Sequence, residues 1–490
     1  MKRLFTAAAL AALSLCIASA AHALEFGKNA LRLPGELVNL AAEDFDGDGL
    51  RDVAAFCLSG EGRRPGKTVS VFYQRRGSSF PQNPDQTWPL DPEAVVFDTG
   101  DVGGTGKKAI CYVRPDGLYA YMPADKGHSA KPVQLIKASG VFSNESYTSL
   151  PRWQVLMGGG KGPLRALIPS VNRLLVHSWS DGGFRQVNSL PLSTQTGFVE
   201  DLVSGEGPLT ITHRIPLAET VGYNQAAAQD LMVTWDDNAD IWLRKDGGFA
   251  EKGYLRFRPG LMEARKDIMD NASVTATDLD GDGRCDMVVT KMSGGVAQTK
   301  TLVFIYMRRP DGGFNKKPGQ TIITEGVIGP RILDMDGDGR KDIVLPSVRM
   351  GLNNFINMLT SKQINMNIGI YLQDKNGRYP VQPTKVKAVT FKLDVSNMGK
   401  NARPVMAFGK FGNSRGYGLV VASKEERVSV YLPDRYSVLG DNPAVNLSVK
   451  APSEMELVDM NGDGADDIVM SYRRVAENAR EVDVFLSKVR

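Results

Sequence analysis

The sequence predicts an all-β protein built as a single β-propeller of about eight four-stranded blades, with seven blades as the alternative. Three observations support this prediction. A nine-residue motif occurs four times, fainter glycine turns lie between its copies, and short alternating strands follow. The mean interval of about 59 residues accommodates four strands of about five or six residues with their turns, which is one propeller blade.

The motif is D-x-[DN]-G-D-G-x-x-D, and its intact copies begin at Asp44, Asp278, Asp334 and Asp459. Acidic side chains at positions 1, 3 and 5 can converge on one point, because the glycines at positions 4 and 6 permit the positive φ angles of a tight turn. Apolar runs follow position 9 in every copy, so each motif is expected to join two strands.

The spacing of these oxygen donors indicates calcium, a hard cation that takes about six to eight oxygen ligands. Positions 1, 3, 5 and 9 offer side chains, and position 7 offers its backbone carbonyl. The motif therefore predicts about four Ca²⁺ sites. The predicted ligands are Asp44, Asp46, Asp48, Leu50 and Asp52; Asp278, Asp280, Asp282, Arg284 and Asp286; Asp334, Asp336, Asp338, Arg340 and Asp342; and Asp459, Asn461, Asp463, Ala465 and Asp467.

The alternative to metal sites is a set of acidic β-turns without a cation. Clustered carboxylates within one turn would repel one another, which favours the metal sites. The sites are not EF-hands, because position 12 is apolar in every copy, where an EF-hand has a bidentate glutamate. The residues at position 12 are Ala55, Val289, Leu345 and Met470.

Four degenerate copies complete the count of eight. They begin at residues 101, 157, 202 and 409 and lose most of the carboxylates, so no metal is predicted there. The span 197–250 is ambiguous, because two adjacent segments within it each resemble a second strand. The last repeat ends after its third strand. The segment 29–34 is predicted to supply the missing strand and to close the ring, which would remove an exposed sheet edge.

These repeats resemble the FG-GAP/VCBS family of β-propellers, which is related to the head of the integrin α-subunit. The resemblance covers roughly residues 25–490. It implies a propeller braced by calcium in the four intact loops and used for adhesion or ligand binding. Members of the family commonly have seven blades, whereas the count here is eight.

The first 23 residues resemble a secretory signal. Lys2 and Arg3 precede an apolar run, and Ala21-His22-Ala23 forms an A-x-A cleavage site. An exported protein, periplasmic or secreted, is therefore expected, with the propeller over residues 24–490. No later apolar run reaches the length of about 20 residues that a transmembrane helix needs. Removal of the signal would lower the net charge from +4 to +2, which argues against nucleic acid as a partner.

Three cysteines would remain after export, namely Cys57, Cys111 and Cys285. An odd number argues against a disulfide framework. Cys57 and Cys111 fall on or near successive second strands, so the sequence leaves open one bridge between them.

Two long repeat intervals predict insertions near residues 213–229 and 349–367. The second has apolar residues at helical spacing and three methionines, which suggests a short amphipathic helix that either plugs its own blade or receives a partner. Basic residues in several loops between second and third strands suggest a positively charged face opposite the calcium loops. A glycan or protein ligand is expected on that face.

The signals for catalysis are few. His128, His177 and His213 are the histidines of the mature chain, and no nucleophile elbow, zinc-protease motif or phosphate loop occurs. A non-catalytic binding or adhesion module for a glycan or protein ligand is the favoured hypothesis. The alternatives are a polysaccharide hydrolase or lyase with its site in the propeller channel, and a scaffold subunit of a cell-envelope complex.

Overall fold

A computed structural model describes residues 24–489 with internal gaps. The residues outside the description are 1–23, 61–64, 78, 142–147, 159–162, 193–194, 200–209, 215, 225–228, 246, 253, 263–270, 295–298, 327, 349–359, 361, 393–403, 413, 425, 435–437, 474–478 and 490. The signal-like segment is among them. The described residues form eight four-stranded antiparallel sheets, each one a blade, so the predicted all-β propeller is confirmed with eight blades.

The first four blades follow the chain from residue 36 to residue 257. Blade 1 comprises Glu36–Glu43, Asp52–Ser59, Gly66–Phe72 and Gln86–Leu90, and blade 2 comprises Val96–Gly100, Ala109–Arg114, Gly117–Tyr121 and Val133–Lys137. Blade 3 comprises Leu156–Met157, Arg165–Ser170, Arg173–Ser180 and Gly183–Pro191, and blade 4 comprises Leu217–Val221, Asp230–Trp235, Asn238–Trp242 and Leu255–Phe257.

The other four blades complete the circle. Blade 5 comprises Asn271–Thr277, Asp286–Ser293, Lys300–Tyr306 and Gln320–Glu325, and blade 6 comprises Arg331–Leu333, Asp342–Ser347, Gln363–Tyr371 and Lys385–Lys392. Blade 7 comprises Met406–Gly409, Gly418–Lys424, Arg427–Tyr431 and Val445–Leu447, and blade 8 comprises Glu454–Val458, Asp467–Ser471, Glu481–Val489 and, as its fourth strand, Leu24–Arg32.

The hydrophobic core consists of eight clusters, one between each pair of adjacent blades. The second strands read as continuous apolar runs because both of their faces are covered by neighbouring blades. Val53, Ala54, Ala55 and Phe56, for example, are all fully buried in blade 1. First strands of adjacent blades also contact each other, in blades 2 and 3 and in blades 7 and 8, as expected for the innermost strands of a propeller.

The N-terminal strand closes the ring, as the sequence predicted. Leu24–Arg32 pairs antiparallel with Glu481–Val489, from Leu24 opposite Val489 to Arg32 opposite Glu481. Lys28 reinforces this pairing with an ion pair of 2.9 Å to Asp483. The strand pairs the outer edge of Glu481–Val489, which would otherwise be open to another chain.

Blade 4 differs from the sequence-based assignment. Its loop between strands 1 and 2 is 222–229, not the predicted copy that begins at residue 202, most of which lies outside the described residues. Gln195–Val199 and Thr210–Arg214 form a separate two-stranded hairpin between blades 3 and 4. The predicted insertion at 213–229 therefore contains the first strand of the blade, and the additional segment lies upstream of it. The apolar run in Asp230–Trp235 is buried between neighbouring blades and takes the second-strand position.

The second predicted insertion falls mostly on residues outside the description, including the helix expected over 349–359. Its last residues belong to the third strand of blade 6. Met366 in that strand is only 1% exposed and packs in the core between blades 6 and 7, so it is unavailable to a partner.

The cysteines left after the signal-like segment do not pair. Cys57, Cys111 and Cys285 are each buried and free, and the bridge left open between Cys57 and Cys111 is not formed. No helix in the described part of the chain is long and apolar enough to cross a membrane.

Deletion of residues 24–33 should lower the melting temperature, because blade 8 would lose its fourth strand and expose an unpaired edge. A synthetic peptide of residues 24–33 added in trans should restore the melting temperature. The same peptide with Leu31→Asp should not, because Leu31 is fully buried between blades 8 and 1. A truncated protein that melts like the full chain would contradict this account of ring closure.

Candidate calcium loops and the channel mouth

The four intact motifs connect strands 1 and 2 of blades 1, 5, 6 and 8, the position expected from the sequence. In each loop the residue at position 2 is fully buried in an interblade core, which anchors the loop to the fold. These residues are Phe45, Leu279, Met335 and Met460. The loops are therefore fixed extensions of the blades, with their polar positions directed away from the core.

The aspartate at position 1 shapes each loop. The two carboxylate oxygens of Asp44 accept hydrogen bonds from Gly47 N at 2.7 Å and Gly49 N at 3.0 Å. Both glycines have positive φ angles, +79° and +90°, which residues with a side chain rarely adopt. The same pair of hydrogen bonds recurs at Asp278, Asp334 and Asp459.

Three of the loops bring carboxylate oxygens within 4.8 Å of one another. The groups are Asp44, Asp46 and Asp48; Asp278, Asp280 and Asp282; and Asp334, Asp336 and Asp342. In blade 8 the side-chain nitrogen of Asn461 donates a hydrogen bond to Asp463 at 3.0 Å. The side-chain oxygen of Asn461 is therefore the atom that could ligate a metal. Clustered oxygen atoms of this kind fit calcium and offer no soft sulfur or imidazole ligand.

The electrostatics of these clusters also fit a cation. Burial raises the pKa of Asp46, and the charges of Asp48 and Asp44 raise it further. Asp336 has a raised pKa for the same reasons, with Asp338 as the nearby charge. A divalent cation would favour the ionised carboxylates and so reverse the effect of their mutual repulsion.

Position 9 has a role that the sequence analysis missed. The carboxylate of Asp52 is fully buried and accepts two backbone hydrogen bonds, from Phe45 N at 2.9 Å and from Gln74 N at 2.8 Å. Phe45 lies in the loop before strand 2, and Gln74 lies just after strand 3. Asp52 therefore ties two loops on the same face of the blade together, and we call this arrangement the carboxylate clamp.

The clamp recurs at Asp286, Asp342 and Asp467, each of which accepts from position 2 of its own loop and from a residue at the end of strand 3. Burial raises the pKa of Asp52 to about 8 and the pKa of the other three to about 6. These residues were predicted as metal ligands, and the structure gives each of them a second, structural role.

Blade 4 has the clamp without the other carboxylates. Asp230 accepts from Tyr223 N at 3.1 Å and from Arg244 N at 2.8 Å, although its loop matches the motif only at positions 3 and 9. The aspartate followed directly by Leu231-Met-Val is the sequence signal that could have placed this loop correctly, because the intact motifs end in the same way.

Adjacent loops are also bonded to each other through their backbones. The amide at position 8 donates to the carbonyl at position 2 of the preceding blade. The pairs are Arg51 to Met460 at 2.7 Å, Lys341 to Leu279 at 2.8 Å, Cys285 to Tyr223 at 3.4 Å and Asp466 to Lys410 at 2.6 Å. A cation that stiffens one loop would therefore also support the neighbouring blade.

Among the degenerate loops, that of blade 2 keeps the turn but not the cluster. Asp101 accepts from Thr105 N at 2.8 Å and from Gly106 N at 2.9 Å, so it reproduces position 1 of the motif. No second carboxylate is present at positions 3, 5 or 9 of this loop.

A second polar site lies at the inner edge of blade 2, where the chain before blade 3 adds a short parallel segment. Phe97 N donates to Pro151 O, and Trp153 N donates to Phe97 O, both at 3.1 Å. The added segment places Arg152 beside first strands of the propeller. Gln154 in the same segment donates to the hydroxyl of Thr220 in the first strand of blade 4.

Arg152 joins blades 1 and 2 at this site. Its Nη2 donates to Glu43 at 2.9 Å and to the hydroxyl of Thr99 at 3.1 Å, and its Nε lies 3.4 Å from Asp98. Glu43 ends the first strand of blade 1, directly before a calcium-type loop, so the site lies at the end of the channel that faces these loops.

Glu456 adds a carboxyl group from the first strand of blade 8. Glu456 is exposed to solvent, and the protein around it raises its pKa by partial desolvation, while the charges of Arg152 and Glu43 act on it in opposite directions. Glu456, Glu43 and Arg152 together with Arg51 form what we call the channel-mouth cluster. The sequence analysis did not find it, because its members are far apart in the chain and belong to no motif.

Three of the basic residues expected on the opposite face make contacts within the fold, whereas Arg63, Arg64 and Arg474 lie outside the described residues. The Lys67 ammonium is buried and donates to Ala94 O at 2.6 Å, and the Lys291 ammonium donates to Leu261 O at 2.8 Å. Arg473 hydrogen bonds to Val38 O and pairs with Glu454. These three side chains therefore contribute little free charge for an acidic ligand.

The side chains of His128 and His177 are buried in the fold. The ring of His128 is held between the Tyr73 hydroxyl and Lys108 O, at 3.0 Å and 2.8 Å. Burial lowers the pKa of His128 and of His177. Both rings are therefore expected to remain neutral and packed.

Comparison with known families identifies residues 278–345 as a match to the FG-GAP-like repeat. The chain carries an FG-GAP-like repeat. The matched segment starts at the calcium-type loop of blade 5 and extends through that of blade 6. An eight-bladed propeller with this repeat is consistent with the FG-GAP β-propeller family, as the motifs suggested.

Solved structures with similarity to the chain include an Agrocybe aegerita lectin that recognises non-reducing terminal N-acetylglucosamine. It has 17% identity and a TM-score of 0.39, over 73% of this chain and 80% of the lectin. The Dos1 propeller has 8% identity and a TM-score of 0.40, over 94% of each chain. The dihydro-heme d1 dehydrogenase NirN has 11% identity and a TM-score of 0.43, over 94% of this chain and 79% of NirN. No curated protein matches the chain.

Asp230→Asn should destabilise the protein by about 1–3 kcal/mol, because one of the two clamped backbone amides would lose its acceptor inside the fold. Since the loop of blade 4 lacks the other carboxylates, the loss should be the same with calcium and with excess chelator. Denaturant unfolding measures both values. The control is Asp181→Asn, which changes an exposed turn aspartate in blade 3. A loss that appears only when calcium is present would contradict a clamp independent of metal.

Proposed function

We propose that this protein is an exported, calcium-stabilised β-propeller that acts as a non-catalytic binding module for a glycan or protein ligand. The observation that supports it best is the convergence of carboxylate oxygens within 4.8 Å in three loops, at the position where the motif predicts calcium. The signal-like residues 1–23 support export into a compartment where calcium can be plentiful.

The residues that would hold calcium are the side chains at positions 1, 3, 5 and 9 and the carbonyl at position 7 of each intact loop. The ion would supply charge neutralisation and would hold the loop in its tight turn. The buried position 2 and the backbone bonds between adjacent loops would transmit this bracing to the blades. Calcium is thus proposed as a structural ion.

The ligand is proposed to bind on the face opposite the calcium-type loops. The connections on that face differ most between blades, and the two-stranded hairpin of Gln195–Val199 and Thr210–Arg214 emerges there. Connections that vary on a rigid scaffold are the usual place for binding residues. The hairpin forms a sheet of its own and belongs to no blade.

Asp336→Ala should remove one calcium ion and leave the others, because Asp336 belongs to a single oxygen cluster. Equilibrium dialysis of wild-type protein should give about four bound ions, as the four intact motifs predict. Asp101→Ala is the matched control, since Asp101 forms the same turn without a cluster, and it should leave the number of ions unchanged. Excess chelator should lower the melting temperature of the wild type. An unchanged melt in chelator would refute a structural calcium.

A second candidate function is a polysaccharide hydrolase or lyase, and the channel-mouth cluster favours it specifically. A carboxyl group with a raised pKa, Glu456, acts near Glu43, whose carboxylate is hydrogen bonded to Arg152. Glycoside hydrolysis uses a pair of carboxyl groups. The cluster involves the first strands of blades 1, 2 and 8, which line the central channel in the propeller fold, so this support is an analogy with other propellers.

Isothermal titration calorimetry against acidic and neutral polysaccharides, with calcium present, would separate the two functions. The binding module predicts saturable heat that disappears on chelation. The enzyme predicts a sustained change in baseline power that Glu456→Gln abolishes, whereas Glu454→Gln on the same strand preserves it. No heat with any polysaccharide of the panel would argue against both glycan functions and favour a protein ligand.

A further inference from the structure

One oxygen atom at position 5 distinguishes the four intact calcium-type loops. In every loop the backbone amide at position 7 donates to one carboxylate oxygen, Oδ1, of the aspartate at position 5, at 2.8 or 2.9 Å. This hydrogen bond leaves the second oxygen, Oδ2, as the more available atom of that aspartate for a cation. The turns are thus alike, whereas the group that lies against Oδ2 differs from loop to loop.

Blade 1 leaves this oxygen open. The Oδ2 atom of Asp48 has no hydrogen bond or ion pair among the described residues, and position 7 is the apolar Leu50. Lys107 lies beside Gly47 of the loop, but its ammonium group donates to Ala124 O at 3.1 Å. The carboxylates that converge in blade 1 are therefore not neutralised by an ion pair within the described chain.

Blades 5 and 6 supply their own cation to the same oxygen. The Oδ2 atom of Asp282 accepts from Nε of Arg284 at 2.7 Å and also from its Nη2. Asp338 forms the equivalent ion pair with Nη2 of Arg340. In both loops the arginine occupies position 7, two residues after the aspartate. Both pairs are partly buried, so solvent screens them less than it would a fully exposed pair.

The ion pair of blade 6 also coincides with a change in the carboxylate cluster. The carboxylates within 4.8 Å of one another in this loop are those at positions 1, 3 and 9, whereas in blades 1 and 5 the third member is position 5. The carboxylate missing from the group is Asp338, the one that is paired with Arg340. The arginine therefore holds an oxygen donor that a cation would need.

Blade 8 has a neutral donor at this place. The Oδ2 atom of Asp463 accepts from the side-chain nitrogen of Asn461 at 3.0 Å, and position 7 is Ala465. Three of the four loops thus satisfy this oxygen from within the loop. In two of them the donor carries a full positive charge, and hydrogen bonds between charged groups are stronger than those between neutral ones.

We propose that Arg284 and Arg340 are internal counter-ions that compete with calcium, so that the site of blade 1 fills at a lower calcium concentration than the sites of blades 5 and 6. This inference rests on the calcium sites of the proposed function. Ligation of a cation through Oδ2 requires displacement of the guanidinium group, because its donors occupy the same oxygen. The displaced charge remains on the loop and repels the cation.

The test exchanges the residues at position 7 and measures calcium affinity by isothermal titration calorimetry of the full chain. Leu50→Arg should weaken the tightest site by about fivefold, because it adds the ion pair that blades 5 and 6 have. Arg284→Leu combined with Arg340→Leu should strengthen two sites by a similar factor. Each change keeps the backbone carbonyl of position 7. The control is Arg309→Leu, which removes an exposed ion pair with Asp311 in the same blade and should bind calcium like the wild type.

Thermal unfolding gives a second measurement that does not depend on Leu50→Arg folding. In excess chelator the combined variant Arg284→Leu and Arg340→Leu should melt below the wild type, because two carboxylate clusters lose their internal counter-charge. Saturating calcium should raise its melting temperature by more than it raises that of the wild type. The control Arg309→Leu should show the same calcium-dependent rise as the wild type.

The possible failures are distinguishable. About four bound ions of equal affinity, with no change in the position 7 variants, would overturn the competition and leave the structural calcium of the proposed function intact. A combined variant that binds calcium more weakly than the wild type would also overturn it, since the arginines would then assist the sites. A wild type that binds no calcium would overturn both the competition and the proposed calcium sites.

Discussion

One interaction organises this propeller: a buried carboxylate at the start of the second strand that accepts two backbone amides. Asp52 shows the principle, because its oxygens join the loop before strand 2 to the loop after strand 3. Each buried amide would otherwise lack an acceptor, which costs about 1–3 kcal/mol. With five clamps described, the loops on one face are defined by hydrogen bonds inside the blades. Backbone bonds such as Arg51 to Met460 then join these loops from blade to blade.

Most of the fold could be predicted from the sequence, because the features that determine it are local and repeated. The motif places each intact loop between two strands, and the ring must close, which assigns a strand to the N-terminal segment. Blade 4 was assigned incorrectly because Thr210–Arg214 and Asp230–Trp235 both have strand-like sequences. The local signal that separates them is the aspartate that begins the second segment, as it does in the intact motifs. Packing between blades then places Asp230–Trp235 as the second strand.

The candidate sites also differ in whether the sequence could reveal them. The calcium-type loops depend on short spacings and could be identified from the sequence, although the clamp role of position 9 could not, since Gln74 is 22 residues from Asp52. The channel-mouth cluster could not be predicted from the sequence. Arg152 meets Glu43 across 109 residues, and only because an irregular segment pairs with the inner edge of blade 2.

Arg165 shows that the clamp position determines a geometry and not a charge. In five blades the slot holds an acid that binds amides of its own blade, whereas in blade 3 it holds a base that reaches Gly247 in blade 4. A longer side chain in the same slot thus replaces a bond within the blade by a bond between blades. It also leaves both terminal nitrogens of Arg165 without acceptors among the described residues.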